Sequence, residues 1–246
     1  MKQNKYDDSE FFAKYSEMPR SVSGLEKAQE WHAFCALLPD LRGKRVLDLG
    51  CGFGWHCRYV REQCAQSVVG IDLSENMLGR ARQATSDPSI EYRRSAIEDV
   101  ELPDDAFDLV ISSLALHYVE QFDLVCRKIN RWLAAGGMFV FSVEHPVFTA
   151  MAAQKWCCGP QGERLHWPVD EYQSEGLRHT QWLADDVVKY HRTVATYVNT
   201  LIDSGFMISR LLEPGPPPEL LVVHPILEDE RRRPQVLIIG TLKVPA

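Results

Sequence analysis

The sequence lacks three features that would tie the chain to a membrane, a secretory route or a nucleic acid. No run approaches the ~20 consecutive apolar residues of a membrane span. Residues 1–12 lack the apolar core of a signal peptide. Positive charge is not in excess, since 27 Lys and Arg residues are outnumbered by 34 Asp and Glu residues and the net charge is −7. Because clustered basic residues supply most affinity for nucleic-acid phosphates, we expect a cytoplasmic protein with no membrane or nucleic-acid partner.

Cysteine pairs with C-x-x-C spacing are also missing. The seven cysteines are odd in number, and several fall at positions expected in the core. The adjacent Cys157 and Cys158 have no second pair nearby that would complete a metal site. We expect reduced thiols and no bound metal.

The chain does contain a regular alternation of strand and helix patterns. Its 246 residues and 45% hydrophobic content suffice for one α/β domain spanning residues 1–246. Strand-like runs lie near 45–49, 67–71, 90–94, 107–112 and 138–143, and helical patterns lie near 55–65, 75–84 and 121–134. This alternation predicts a parallel sheet with helices on both faces.

Two further apolar runs, Phe206 to Leu212 and Gln235 to Leu242, predict strands that close the sheet as an antiparallel hairpin. The loop between them contains Pro216-Pro217-Pro218 and His224-Pro225.

A strand followed by closely spaced glycines forms the most informative stretch. Val46, Leu47 and Leu49 make a short apolar run suited to a parallel strand. Gly50, Gly52 and Gly54 follow at alternate positions, where glycine lets the backbone turn tightly and approach a ligand. The pattern predicts a small-molecule site at the end of this strand.

The neighbours of the glycine loop argue against a dinucleotide. The dinucleotide fingerprint needs a small residue five positions after the first glycine, where this chain has Trp55. Asp48 would repel a diphosphate but would favour a cationic ligand. A second apolar run ends in Asp72, at the spacing from Gly50 at which an acidic side chain accepts both hydroxyls of a ribose. The pattern therefore favours a nucleoside with a positively charged portion and no phosphate.

In these features the chain resembles the class I S-adenosylmethionine (SAM)-dependent methyltransferases, over about residues 44–143. The resemblance implies a Rossmann-like α/β fold with a seven-stranded, mostly parallel sheet, and it implies SAM as the cofactor. The family's first strand and glycine loop hold the amino-acid end of SAM, and the corresponding residues here are Asp48, Gly50, Cys51, Gly52 and Gly54. Asp72 corresponds to the ribose-binding acid, with Leu73 and Met77 beside the adenine.

The adenine loop of the family is matched by the segment that precedes the fourth strand. Ala96, Ile97 and Glu98 fall in this loop. Many members carry an Asp that accepts from the adenine amino group where this chain has Ala96. That contact must come from Glu98, a backbone carbonyl or water.

Segments on either side of this core are expected to cover the site. Residues 1–40 combine a polar-aromatic stretch with a helical period over 25–38, which predicts an N-terminal helical flap. Residues 144–184 show no sustained period, are rich in aromatic residues and leave the ligand edge of the sheet, which predicts a lid over the substrate. The apolar stripe over 185–203 predicts a helix capped by Asp185 or Asp186.

A base is needed only if the methyl acceptor must lose a proton, because SAM is itself a strong electrophile. His117 follows the fourth strand, His145 follows the fifth, and His191 lies in the predicted helix, so each is a candidate. Each is also explained by packing or capping. Tyr15 and Arg20 of the flap are candidates to contact the substrate or the SAM carboxylate.

The sequence supports a methyltransferase acting on a small molecule by in-line displacement. A SAM-binding sensor without transfer activity is the alternative. An NAD-dependent oxidoreductase is disfavoured by Trp55 and Asp48. The sequence assigns neither the acceptor atom nor the oligomeric state.

Overall fold

A central sheet organises the computed structural model, which describes residues 2–216, 221 and 225–244. In chain order the strands are β1 (Arg45–Leu49), β2 (Ser67–Asp72), β3 (Ile90–Arg94), β4 (Phe107–Ser113), β5 (Leu133–Glu144), β6 (Cys157–Cys158), β7 (Arg164–His166), β8 (Gly176–Trp182), β9 (Ala184–His191), β10 (Phe206–Leu212) and β11 (Val236–Lys243). The sheet has seven strands in the order β10-β11-β5-β4-β1-β2-β3. Two separate pairs, β6 with β7 and β8 with β9, lie outside it.

Strand direction follows the expectation of a mostly parallel sheet. β1 pairs in parallel with β2 and β4, β2 with β3, and β4 with β5. β11 runs antiparallel to both β5 and β10, so the predicted C-terminal antiparallel strands are confirmed. Within the loop predicted between them, Pro217, Pro218 and His224 lie outside the described residues.

Helices cover both faces of the sheet. In chain order they are α1 (Ser9–Ser16), α2 (Pro19–Ser23), α3 (Trp31–Cys35), α4 (Trp55–Glu62), α5 (Glu75–Gln83), α6 (Phe122–Trp132), α7 (Pro146–Thr149) and α8 (Val194–Asp203). α3, α4 and α5 pack on one face, and α6 and α8 pack on the other. The core is therefore divided into two apolar layers by the sheet.

The alternation of side chains along each strand explains these two layers. Val46 and Val140 join the layer beneath α4, whereas Leu47 and Phe139 join the layer beneath α6. Successive side chains of a strand point to opposite faces. Central strands therefore need apolar residues on both faces, as β1, β4 and β5 have at most positions.

The N-terminal helix is shorter than its apolar period predicts. The helical pattern over 25–38 resolves into a 3-10 helix, Gly24–Lys27, and the short helix α3. Ala28 between them is extended, with φ −85° and ψ 112°, and this interrupts the helical hydrogen bonds. The prediction of one continuous helix was wrong.

The predicted helix over 185–203 is wrong in its first half. Residues Ala184–His191 form β9, which pairs antiparallel with β8, and α8 begins only at Val194. Asp186 lies at the start of β9 with φ +57°, so it caps no helix. The apolar positions of this stretch fit a helical period as well as a strand period. Antiparallel pairing with the neighbouring strand β8, across a tight turn at Leu183, selects the strand.

Thr193 is the observed cap of α8, since its side chain accepts from the Thr196 N–H at 3.1 Å. Thr193→Ala should lower the free energy of unfolding by about 0.5–2 kcal/mol, because that N–H loses its partner. Denaturant titration measures the change. Asp185→Ala is the matched control and should change stability by less than about 0.5 kcal/mol. The opposite ranking would restore the helix start expected from the sequence.

Candidate cofactor and active site

A cavity of about 610 Å³ lies at the carboxyl ends of β1, β2 and β4. The chain leaves β1 toward β2 on one side, and later returns to place β4 on the other side of β1. Loops that leave such a switch point diverge, which opens a crevice at that edge of a parallel sheet. The topology thus places the cavity where the glycine loop ends β1.

Backbone hydrogen bonds hold the glycine loop against β2. The N–H groups of Gly50 and Cys51 both donate to the Ile71 carbonyl, at 2.8 and 2.9 Å. Gly50 and Gly52 line the cavity. A Cβ at Gly52, whose φ is +52°, would meet only the Met77 Cε within 4 Å, at 3.2 Å. The backbone of Gly52 therefore presents a bare edge to the cavity, which a ligand can approach.

Asp72 at the end of β2 is held from below by the backbone. Its Oδ2 accepts from the Gly52 N–H at 2.8 Å and its Oδ1 accepts from the Ser74 N–H at 2.9 Å. Burial raises the pKa of Asp72 above its ordinary value. Each oxygen retains a second lone pair. The fixed carboxylate on the cavity wall can therefore accept two hydroxyls of a ligand.

The remaining wall residues expected to hold the cofactor also meet at the cavity. They are Leu73, Met77, Ala96, Ile97 and Glu98. Ala96 and Ile97 are buried apolar residues that suit the flat face of a base. Lys2 pairs with Asp99 at 2.5 Å and lies 3.8 Å from Glu98, so the N-terminal segment covers this end.

Three residues of the expected cofactor set do not line the cavity: Asp48, Cys51 and Gly54. Asp48 is only 1% exposed, and its carboxyl accepts from the Cys57 thiol at 3.2 Å. Burial raises the pKa of Asp48 to about 7. Asp48 is thus buried within β1 and does not line the cavity, a correction to its expected place beside the ligand.

His117 is the candidate histidine that lines the cavity. Its Nδ1 accepts from the Glu144 N–H at 3.3 Å. In the neutral ring the proton therefore sits on Nε2, which makes that atom a donor. Burial lowers the pKa of His117 to about 4, so the ring is neutral at pH 7. A neutral donor differs from the proton acceptor expected from the sequence.

His145 and His191 do not line this cavity. His145 caps α7 by accepting from the Val147 N–H at 3.0 Å, and its Nε2 lies 2.7 Å from Glu213. His191 is fully buried in β9, between the Thr149 hydroxyl and the Tyr172 carbonyl. His145 thus serves as a helix cap and His191 as a packed, hydrogen-bonded residue of β9, and neither reaches the cavity.

The N-terminal segment and the β8–β9 hairpin close the cavity together. Gln3 donates to the Asp186 carbonyl at 2.7 Å and accepts from the Val188 N–H at 2.8 Å. Asp7 accepts from the Ser74 hydroxyl at 2.5 Å and from the Asn76 N–H at 3.0 Å, at the start of α5. The segment therefore bridges the hairpin and the cofactor side of the sheet.

An aromatic cluster forms the inner surface of this cover. Its members all line the cavity: Tyr6, Phe11, Tyr15, Tyr118 and Trp182. Their rings meet edge to face, with centroids 5.0 to 6.4 Å apart. Arg20 also lines the cavity and pairs with Glu30 at 2.7 Å. Aromatic richness was the only sequence signal for this cluster, and nothing local marked Tyr6.

A buried ion pair on the wall was not expected from the sequence. Glu144 at the end of β5 lines the cavity, and its Oε1 lies 2.6 Å from the Nζ of Lys189 in β9. Burial alone would raise the pKa of Glu144, but the charge of Lys189 and hydrogen bonds from Lys189 and Gln154 hold it below its ordinary value. The two residues are 45 positions apart, so no local motif connects them.

The glycine loop and Asp72, at the switch point of a doubly wound sheet, define a Rossmann-like nucleoside-binding enzyme. Residues 47–141 match the family model for a methyltransferase domain. The chain is 34% identical over 248 residues to an uncharacterized protein of Haemophilus influenzae. The alignment covers 97% of this chain and 96% of that protein.

Two solved structures share most of the fold. A protein of Listeria monocytogenes described as a putative S-adenosylmethionine-dependent methyltransferase is 50% identical, with a TM-score of 0.86, over 90% of this chain and 100% of that one. An S-adenosylmethionine-dependent methyltransferase of Mesorhizobium loti is 47% identical, with a TM-score of 0.84, over 89% of this chain and 100% of that one. The chain belongs to the class I SAM-dependent methyltransferases, and it is an enzyme of that family that uses SAM.

Relatives that are named for a substrate match less of their length. The chain spans about a quarter of the Arabidopsis thaliana phosphoethanolamine N-methyltransferases, at 24% and 25% of their residues. Among the described residues, no helix is long and apolar enough to cross a membrane.

Asp72→Ala should weaken SAM binding by about 1–3 kcal/mol, because ribose hydroxyls would lose a fixed acceptor in a buried site. Isothermal calorimetry measures the affinity. Asp104→Ala removes a carboxylate from an exposed position and serves as the control. Equal affinity of the Asp72 variant and the wild type would refute the ribose role.

Gly52→Ala should reduce SAM affinity, because the added Cβ narrows the bare backbone edge that the ligand approaches. The fold should persist, because that Cβ meets only the flexible end of Met77. The left-handed backbone costs about 1–2 kcal/mol of stability with a side chain present. Gly50→Ala is the contrast, since its Cβ would lie 2.3 Å from the Ala115 Cβ and must displace it. We expect a larger fall in melting temperature for Gly50→Ala. Unchanged SAM binding in Gly52→Ala would contradict the proposed approach to the bare backbone.

The ring of His117 should titrate with a pKa of about 4, because burial disfavours the imidazolium. Histidine-selective NMR follows the ring signals with pH, and loss of one signal in His117→Gln assigns the resonance. The folded ring should stay neutral as pH falls from 7 to 5. A midpoint near the ordinary value of about 6.5 would leave room for a general base.

Proposed function

We propose that the enzyme transfers the methyl group of SAM to a small-molecule acceptor by in-line displacement, inside the cavity closed by the N-terminal segment and the β8–β9 hairpin. The observation that carries this proposal is the extent of the cavity. It continues from the cofactor residues at Gly52 and Asp72 past His117 to an aromatic wall at Trp182. A volume of about 610 Å³ lies within the range of roughly 300–1,000 Å³ found for small-molecule sites.

The residues of this chain fit SAM and divide its binding between them. When bound, SAM supplies a methyl group on a sulfonium, an electrophile that needs no nucleophilic side chain. Asp72 accepts the ribose hydroxyls, and the bare backbone at Gly52 receives the amino-acid end. Arg20 is suited to the carboxylate of that end. Adenine contacts fall to Ala96, Ile97 and Glu98, with the amino group served by Glu98, a backbone carbonyl or water.

The enzyme's own contribution is to orient the acceptor and to exclude water. The acceptor lone pair forms the new bond to the methyl carbon while the bonding pair of the old C–S bond remains on sulfur. The aromatic cluster and the fixed glycine loop leave little room for solvent on this path. His117, as a neutral donor from Nε2, is suited to bind a polar group of the acceptor other than the attacking atom, and this role replaces that of a base.

Two segments of the chain, a flap and a lid, cover the cavity in this proposal. Residues 1–40 act as the flap. The lid comprises residues 144–184 and is extended to His191, because β9 belongs to the same hairpin as β8. Leu177 and Trp182 line the cavity from β8, and Val187 and Tyr190 do so from β9. The whole chain then serves as one methyltransferase domain.

Acceptors of partial relatives support a small-molecule substrate. One relative is a fatty-acid O-methyltransferase of Mycolicibacterium smegmatis, 30% identical over 44% of this chain. Another is an N-demethylindolmycin N-methyltransferase of Streptomyces griseus, 28% identical over 73% of this chain. These two acceptors differ in the atom that is methylated. The relatives therefore support a small-molecule acceptor without indicating which atom receives the methyl group, and that choice depends on the residues of the cavity wall.

Calorimetry with SAM and with NAD, followed by a screen of small-molecule extracts for release of S-adenosylhomocysteine, tests the proposal. We expect SAM binding and release of product with at least one extract. SAM binding without any release would favour the alternative of a sensor. Tight NAD binding without SAM binding would refute the cofactor site.

A further inference from the structure

In the ion pair of Glu144 and Lys189, only the Glu144 carboxylate faces the cavity. The Lys189 side chain is 1% exposed, whereas the Glu144 side chain is 19% exposed and lines the cavity. The ammonium therefore lies behind the carboxylate. What the pair presents to a ligand is the negative end.

Hydrogen bonds fix this orientation. Lys189 donates to Glu144 Oε1 at 2.6 Å and to Gln154 Oε1 at 3.3 Å, and its Nζ lies 5.5 Å from the ring centroid of Trp182. Gln154 donates to Glu144 Oε2 at 3.1 Å. A carboxylate has about four lone-pair sites, so Glu144 retains capacity to accept from a ligand. Lys189 is held on three sides and has no path to the ligand.

The other cations of the wall are engaged elsewhere. Arg20 pairs with Glu30 and is the residue suited to the SAM carboxylate, and Lys2 pairs with Asp99. Lys5 donates to the Asp185 carbonyl at 3.1 Å, at the rim formed by the hairpin. Near the buried end, Glu144 is thus the charge that a ligand meets. An anionic acceptor would there meet the Glu144 carboxylate, whose pKa lies below its ordinary value, whereas Arg20 and Lys2 belong to the cofactor side and Lys5 lies at the rim.

Tyr118 and Trp182 lie near the same end, since the charge of Glu144 acts on Tyr118 and Trp182 lies beside Lys189. Tyr118 follows His117 directly, and its ring lies 6.4 Å from Tyr6, which joins it to the aromatic cluster. Aromatic faces attract cations through the ring quadrupole. A buried carboxylate with aromatic rings nearby suits a group that is cationic or becomes so.

We propose that the acceptor is a small amine on an apolar body, with its nitrogen held by the Glu144 carboxylate and its body packed against the aromatic cluster. This inference rests on the proposed function. The neutral amine uses its lone pair to form the C–N bond while the C–S pair stays on sulfur, so the positive charge passes from sulfur to nitrogen. A proton released by an incoming ammonium goes to solvent before transfer, and the methylated ammonium is the product.

The placement of Glu144 matches this charge movement. A fixed carboxylate stabilises positive charge as it develops on nitrogen, which lowers the barrier. Methylation of a carboxylate acceptor would instead begin with two negative groups near each other. The relatives' names include O-methylation and N-methylation, and the charge on the cavity wall favours N-methylation.

The test uses the full chain, SAM labelled in the methyl group and a small-molecule extract split by ion exchange into cationic, neutral and anionic fractions. We expect label to enter products from the cationic fraction, and these products should be retained on a cation exchanger. Label only from the neutral or anionic fraction, or from none while the enzyme binds SAM, would overturn the inference. Transfer to any fraction would still uphold methyl transfer, whereas absence of SAM binding would refute the proposed function itself.

A paired variant tests the role of the carboxylate. Glu144→Gln alone strands a buried ammonium and can unfold the protein, so Glu144→Gln is combined with Lys189→Met, which removes both charges at similar volume. We expect SAM affinity within about twofold of wild type and a fall in transfer to the cationic fraction of at least about 100-fold. The exposed Glu62→Gln is the control and should transfer as wild type does. Wild-type transfer by the double variant, with a wild-type melting temperature, would overturn the inference.

Discussion

Attachment of the glycine loop to β2 is the constraint on which the rest of the site depends. The Ile71 carbonyl accepts from both Gly50 and Cys51, and the Asp72 carboxylate accepts from Gly52. These bonds turn the chain at the end of β1 and fix the acid of β2 beside the bare backbone. Because β1 and β2 are parallel neighbours, both strands end at the same edge of the sheet. A cradle for a nucleoside follows from this local geometry.

Closure of the cavity depends on segments far apart in the chain. Gln3 joins the N-terminal segment to β9, and Asp7 joins it to the start of α5. The same segment brings Tyr6 against Tyr118 and Tyr15. The cover and the aromatic wall are thus one structure. Opening it requires loss of these hydrogen bonds and separation of the aromatic side chains of the cover from Tyr118 and Trp182.

Charge at the site is controlled by burial. His117 remains neutral because burial lowers its pKa to about 4, and burial raises the pKa of Asp48 to about 7. Glu144 stays ionised because Lys189 compensates it at 2.6 Å. A carboxylate that remains charged in a closed apolar site is costly without such a partner. The inferred preference for an amine follows from where this one charge is exposed.

The sequence by itself determined the sheet, because long apolar runs, glycines and caps act within a few residues of each other. The glycine loop, Asp72 and the strands up to β5 could be located from such local signals. Only the tertiary structure decided that residues 184–191 form a strand, because β8 supplies their hydrogen bonds. It also decided which histidine reaches the cavity and that Lys189 meets Glu144. The strand depends on pairing with its neighbour in a hairpin, and the other two outcomes depend on contacts between distant segments, which no local pattern encodes.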